Sequence, residues 1–401
     1  MIERVKCIAM IDATKKTERR AAIAIAFMIA LRMYGLFLIL PVFSVYAQDI
    51  TGSTALLVGV AIGIYGLTQA FLQIPMGFLS DIWGRKKVIG MGLGLFLIGS
   101  VIAAVANDIY TIIIGRAVQG MGAIAATGLA LIADVSRPEQ RSKMMAIVGV
   151  SIGFSFMLAF ITGPVLAKLY GLSGLFWLTA VLAGFALLVL FTMVPEPDKR
   201  MERDYRFVEV FQSIRHKQLL LLDMGVFAIH ASMSALFLVL PVVLVKTFAW
   251  PVINHWQLYL PVMVASVFIM IPLIFWQEKQ KNHIRLLLVT FFLLAFNFLL
   301  LQMGLNQWLV IVTSLIIYFG LFNYLEASMP ALLSKVATEQ YRGAAMGAYS
   351  TAQFLGAFVG GAVGGYLMSY SANMVLWAMF GLLLLIALIG FKVFGRQKSV
   401  S

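Results

Sequence analysis

The sequence predicts an all-α integral membrane protein of twelve transmembrane helices, arranged as two six-helix pseudo-repeats. Three observations carry that prediction. Of the 401 residues, 62% are hydrophobic and only 12% are charged, whereas a soluble domain needs about a quarter charged residues to cover its surface. The apolar residues fall into blocks of about 20 or more, the length that crosses ~30 Å of hydrocarbon at about 1.5 Å per residue. The two halves of the chain also repeat one another.

The spans are expected at 21–46, 55–79, 88–106, 109–133, 143–168, 173–194, 219–246, 256–276, 284–303, 307–334, 343–369 and 373–394. The first is read as uncleaved. Residues 1–20 are polar and basic, the run after them is too long for the apolar region of a signal peptide, and no small-residue cleavage site closes it. Short loops join the spans except at 195–218. The expected parts are therefore an N-terminal segment 1–20, a first bundle 21–194, a linker 195–218, a second bundle 219–394 and a tail 395–401. In the linker, Phe207, Val208, Val210, Phe211 and Ile214 alternate with Arg206, Glu209, Arg215 and Lys217 at the spacing of an amphipathic helix lying on a membrane surface.

The repeat is visible in the loops before spans 5 and 11, which read Glu139-Gln140-Arg141 and Glu339-Gln340-Tyr341-Arg342. Gly163-Pro164 follows Arg141 by 22 residues, and Gly364-Gly365 follows Arg342 by the same 22. Two halves in the same orientation are the parallel repeat found in alternating-access carriers. Gly90, Gly92 and Gly94 in span 3, and Gly356, Gly360, Gly361, Gly364 and Gly365 in span 11, are expected to be close-packing faces, because lipid supplies no hydrophobic drive between helices.

The charge distribution sets the topology. The net charge is +13, yet all but four of the 30 Lys and Arg residues lie on the side holding both termini and the even-numbered loops. The exceptions are Arg32 and Arg116 inside spans, and Lys168 and Lys246. The positive-inside rule puts both termini in the cytoplasm, so the basic excess reports topology and nucleic acid is not an expected partner. The single Cys7 makes no internal disulfide, and no Cys/His cluster suggests a metal.

The loop between spans 2 and 3 runs Gly77-Phe-Leu-Ser-Asp81-Ile-Trp-Gly84-Arg85-Lys86-Lys87. Gly77 admits another backbone, Gly84 allows a tight turn, Asp81 suits a helix N-terminus, and a partly buried Arg85 needs an anion. Span 4 reads Arg116-Ala-Val-Gln119-Gly120-Met-Gly122 and ends near Asp134. These segments resemble the loop 2–3 and span-4 signatures of the major facilitator superfamily, and the resemblance covers essentially the whole chain. Ile82 departs from the pattern, which usually has a basic residue there. Gly153 to Gly163-Pro164 is similar to the span-5 antiporter motif, in degraded form. Gly63 to Gln69, Leu31-Arg32 with Leu40-Pro41, Glu326-Ala and Tyr349 to Gly356 resemble a bacterial transporter of that family with a soluble domain after its last span, where this chain has a short basic tail containing Arg396 and Lys398.

The resemblance implies that spans 1, 4, 7 and 10 line a central cavity, and that Arg85 pairs with Asp134. It further implies that Asp81 meets the start of span 11 near Gly343 and Gly347, forming a conformational latch. Ionisable residues inside spans cost about 2.5–3.5 kcal/mol and are functional candidates by default. Arg32, about 16 Å into the membrane, Arg116, Glu326 and His230 are therefore the proton-coupling candidates, with Glu326 read as the only carboxylate deep in any span. Tyr34, Gln69, Gln119, Asn323 and Gln353 are the cavity-lining candidates. Neighbouring Met and Phe side chains suit an amphipathic or lipophilic solute.

The expected function is proton-coupled efflux of such a solute by alternating access, from a monomer in a bacterial cytoplasmic membrane. The alternatives are a nutrient symporter or uniporter, or a non-transporting sensor of the same fold. No cofactor is expected. An enzyme is excluded by the lack of any nucleotide loop, paired carboxylates, nucleophile motif or metal constellation in the sequence.

Overall fold

The computed structural model describes residues 2–195, 216–279, 283–337 and 342–394. Ten helical segments are long and apolar enough to cross a membrane. One of them, Lys143–Met193, holds two spans, and the Gly-rich helix Arg342–Met368 completes twelve crossings. The expected linker helix and the tail beyond Phe394 lie outside the described residues.

Span 1 is α1 (Ile2–Phe37) continued by α2 (Leu40–Tyr46). The break was not expected, and Pro41 accounts for it: proline has no N–H for the carbonyl of Phe37 and its ring clashes there. Span 2 is α3 (Ala55–Trp83), capped by Thr54, whose side chain accepts from Leu57 N. Span 3 is α4 (Arg85–Ala104). Between them Gly84 holds φ +101°, a conformation that L side chains rarely adopt, so the hairpin turn needs glycine.

Span 4 is also broken, into α5 (Ile109–Met121) and α6 (Ala125–Val135). Its first part is capped by Asp108, which accepts from Thr111 N at 2.9 Å. These bonds hold the Asp108 carboxyl below its ordinary value. Spans 5 and 6 form one long helix, α7 (Pro138–Met193), interrupted only at Gly171, φ +67°. The second half comprises α8 (Lys217–Lys246), α9 (Trp256–Lys279), α10 (His283–Met303), α11 (Trp308–Val336), α12 (Arg342–Met368) and α13 (Ala372–Phe394), spans 7 to 12 in order.

The start of α1, the end of α13 and the loop 2–3 motif share one face, the terminal face. The halves are sealed together toward the opposite, far face. Ser44 on span 1 donates to Phe237 O on span 7 at 2.9 Å. Phe160 of span 5 packs edge-on against Phe237 and Tyr259, centroids 4.8 and 5.6 Å apart, and Phe156 lies 6.5 Å from Phe319 of span 10. Such aromatic pairs add about 0.5–1.5 kcal/mol each beyond their buried area.

Spans 2 and 11 form a glycine seam. A β-carbon on Gly59 would stand 2.1 Å from Gly361 O, and one on Gly66 would stand 2.5 Å from Phe354 O. Toward the terminal face the seam opens. At Gly347 the nearest atom is Ile74 Cγ1 at 4.0 Å, and at Gly77 nothing lies within 4 Å. The expectation that Gly77 admits a neighbouring backbone is thus not met in this conformation, because the halves have diverged before they reach it. The other face of span 11 is tight: Gly356 and Gly360 abut the backbone of Phe227 and Ala231 on span 7, 2.1 Å from a built β-carbon in each case.

Candidate functional site

The intramembrane charges sort into two clusters, one in each half. In the first, Arg32 sits where span 4 is broken. Its NH2 donates to Gly122 O at 3.0 Å, the carbonyl end left unsatisfied by the break, to Tyr65 OH at 2.7 Å and to Gln69 Oε1 at 3.3 Å. Its guanidinium also lies over Phe96, 5.4 Å from the ring centroid. Arg116 donates to Ala61 O, Ile62 O and Gln119 Oε1, and lies over the Tyr65 ring at 5.1 Å. Gln119 in turn donates to Ser100 Oγ at 2.7 Å. Gln69 and Gln119 have no exposed surface, so they brace the arginines and do not line an open cavity. Tyr34 shares a hydrogen bond with Thr162 at 2.8 Å, tying span 1 to span 5.

The second cluster joins spans 7, 10 and 11. Gln353 Nε2 stands 2.9 Å from His230 Nε2 and 3.2 Å from Glu326 Oε1. His230 Nδ1 faces Val226 O at 3.1 Å, and His230 Nε2 is 3.7 Å from Glu326 Oε2. The Glu326 side chain is 39% exposed, while its Oε2 is itself buried. Asn323 is half-buried on the same helix, three residues before Glu326. The partners of Arg32 and Arg116 all belong to the first half, so neither arginine contacts Glu326 or His230.

Glu326 is not the sole membrane carboxylate. Asp223 lies six residues into α8, its Oδ1 buried without a hydrogen-bond partner. It stands seven residues before His230, two turns along the same face. Buried Tyr349 of span 11 lies within electrostatic reach of both Glu326 and Asp223. The sequence reading missed Asp223 because it falls at the expected end of span 7, where charge is ordinary. The available signal was its seven-residue spacing from His230.

The loop 2–3 motif forms a third polar group on the terminal face. Arg85, 5% exposed, donates from Nε to Asp134 Oδ2 at 3.0 Å and from NH1 to Ser80 Oγ at 2.6 Å, and it pairs with Asp81 one turn back. Lys86 Nζ donates to Val194 O at 2.7 Å, closing the end of span 6. The motif therefore ties spans 2, 3, 4 and 6 together at one corner. Among the described residues, no group of His, Cys, Asp and Glu could hold a metal ion.

Comparison with known proteins agrees with this architecture. A family model described as Major Facilitator Superfamily matches residues 25–360. The chain is 38% identical to the inner membrane transport protein YajR of Escherichia coli (strain K12) over 353 residues, 87% of this chain and 78% of YajR. It is 25% identical to the multidrug resistance protein MdtH of Yersinia enterocolitica, over 91% of this chain and 92% of that one. Among solved structures it resembles a bacterial homolog of the human lysosomal transporter Spinster, in an inward-facing and occupied conformation. The TM-score there is 0.79 at 14% identity, over 94% of this chain and 96% of that one.

Proposed function

The chain belongs to the major facilitator superfamily, a family of membrane transporters and not of enzymes, and from that premise we propose that it is a proton-coupled efflux carrier of a small amphipathic solute. It works by alternating access, as a monomer in a bacterial cytoplasmic membrane, with the terminal face toward the cytoplasm. The Lys and Arg excess on that face supports the orientation. In this conformation the far face is closed and the terminal face parted, which is the inward-facing arrangement of such a carrier.

The observation that carries the coupling is the contact of His230, Gln353 and Glu326. An amide nitrogen offers two hydrogens, and Gln353 Nε2 faces both an imidazole nitrogen and a carboxylate oxygen. Both bonds form only if His230 Nε2 presents its lone pair while its Nδ1–H points to Val226 O, a tautomer assigned from the partners. Placing a proton on Nε2 sets two donors against each other and breaks the Gln353 contact. Glu326 Oε2, 3.7 Å away, then becomes the partner of a charged imidazole. One proton thus exchanges one bond for another across spans 7, 10 and 11, a two-state element of the kind a coupled carrier requires.

MdtH, named for multidrug resistance, supports efflux as the direction. The test uses everted membrane vesicles with an acidified lumen and a panel of amphipathic solutes. An antiported solute collapses the proton gradient in the parent but not in Glu326→Gln at equal expression. Flux of a solute along the gradient in place of against it would instead mark a symporter.

A further inference from the structure

Tyr65, Gln69 and Gln73 recur every four residues along span 2, and all three are buried. They form one polar stripe turned toward the interior of the first half, where Arg32 and Arg116 lie. The two guanidiniums are 1% and 3% exposed. Their partners are carbonyls, glutamine oxygens, the Tyr65 hydroxyl and aromatic faces, with no carboxylate among them. The acidic side chains described in this half are Asp49 and Asp108 at the far-face ends of spans, and Asp81 and Asp134 beside Arg85. Two positive charges are therefore withdrawn from water without a counter-ion, an arrangement that is costly and is kept in membranes for function.

The unpartnered atoms of the same cluster are chemically one-sided. Arg32 Nε, Gln69 Nε2 and Gln73 Nε2 are buried donors without acceptors, against one unpartnered acceptor, Gln73 Oε1. A doubly positive cluster with spare N–H donors is the complement of an oxyanion. The cluster is closed in this conformation; Gln73 lies beside Ile74, on the stretch of span 2 where span 11 has drawn away, so movement of Gln73 would open it toward the parted terminal face. Because Gln73 has no hydrogen bond to lose, it is the side chain that yields most readily to an arriving group. The rings of Phe37 and Phe156, 4.9 Å apart between spans 1 and 5, offer an apolar body a surface nearer the far-face seal.

We propose that the Arg32, Arg116, Gln69 and Gln73 cluster receives the anionic group of the transported solute, so that the cargo is an amphipathic organic anion. The inference rests on the carrier reading and adds its substrate class; it does not depend on which residue holds the proton.

The test takes the full-length protein in detergent with three probes of one shape: 1-naphthoate, the neutral 1-naphthamide and the cationic 1-naphthylmethylammonium. Binding is read by equilibrium dialysis, and each variant is checked by thermal unfolding. Naphthoate should bind the parent at least tenfold tighter than either relative. Arg32→Gln and Gln73→Leu should each lose at least tenfold of that affinity, and Arg32→Lys should regain part of it. Gln73→Leu removes a group with no partner and should not lower thermal stability, so a loss of affinity there is not a loss of fold. The assignment is overturned if the amide or the ammonium binds as tightly as the carboxylate, if none of the three binds, or if naphthoate affinity survives both Arg32→Gln and Gln73→Leu. Counterflow in proteoliposomes separates the two layers of the argument. Arg32-dependent binding without naphthoate exchange sinks the carrier reading and keeps the anion site; exchange of the ammonium probe does the reverse.

Discussion

A single methyl group at Gly59 should force the far face open. Its β-carbon would stand 2.1 Å from Gly361 O, 2.7 Å from Gly365 Cα and 2.9 Å from Gly365 N, all backbone atoms that cannot rotate away. Spans 2 and 11 must therefore part by about 1 Å, and overpacking of this kind costs roughly 1–3 kcal/mol. The penalty falls on the state in which the seam is closed, which is the conformation described above. Relief by opening the far face shifts the ratio of states roughly 5- to 150-fold. Gly77 supplies the opposite control. It stands 18 residues beyond Gly59, five helical turns, and so on the same face. Nothing lies within 4 Å of it here, so Gly77→Ala costs nothing in this state and penalises the one in which the terminal face closes. Spin labels on exposed Thr51 and Ser371, with Cys7 replaced, report the far-face distance by pulsed electron resonance. Gly59→Ala should populate a longer distance and Gly77→Ala should sharpen the short one. A Gly59→Ala distribution that matches the parent would refute the seam as a determinant of state.

Glu326→Gln should abolish proton-driven flux while solute exchange at equilibrium survives; retained gradient-driven efflux at normal expression would remove Glu326 from the coupling. Asp134→Asn leaves the buried Arg85 with Asp81 alone, so the cost should fall below the roughly 3–5 kcal/mol of a fully uncompensated buried charge and still lower the thermal unfolding midpoint. A thermal unfolding midpoint equal to that of the parent would show the pair to be dispensable. If Asp81, here paired with Arg85, meets the start of span 11 when the terminal face closes, Asp81→Asn should enrich the inward-facing state at unchanged solute affinity, read by crosslinking across the terminal face. Asp223→Asn should slow proton exchange without changing solute affinity, because Asp223 lies six residues from the terminal-face end of its helix and Glu326 ten from that of its own, with Tyr349 within reach of both; equal rates of gradient dissipation would leave it a bystander.

The spans were legible because bilayer thickness leaves a long apolar signature in any sequence. The span-11 glycines were legible too, since Gly356, Gly360, Gly361 and Gly365 have little other use inside a membrane helix than close approach. Helix breaks were harder to read. Pro41 signals the break in span 1, but the one at 122–124 in span 4 depends on Gly122 meeting Gly92 O, a tertiary fact. Which polar residues face open space was not legible either. Gln69, Gln119 and Gln353 look alike in sequence, yet two are sealed around arginines and the third joins a histidine to a carboxylate. Helical period places a residue on a face; what covers that face depends on the partner helix.

Span 11 offers the proposed proton site in the second half a route to the boundary between the halves. Gln353 bonds to His230 and Glu326, while the next residue, Phe354, sets its carbonyl against Gly66 of span 2. One residue step therefore separates the proton-sensitive contact from the seam. Gly356 and Gly360 hold the same helix against span 7 at backbone distance, so span 11 cannot shift on span 2 without carrying the helix that bears His230 with it. Packed backbones of this kind do not deform gradually; they exchange one set of contacts for another. In the proposed coupling, protonation of His230 releases Gln353 and so alters the helix that both contacts share. The arginine cluster lies on the opposite side of the seam, so under the proposed assignments solute and proton act on separate halves that meet through span 11. That division predicts that Gly66→Ala, which crowds Phe354 O at 2.5 Å, weakens the coupling between proton and solute while leaving naphthoate binding intact. The measurement is gradient-driven efflux compared with equilibrium exchange in the same vesicles. An unchanged ratio of the two would mean that the halves communicate by another route.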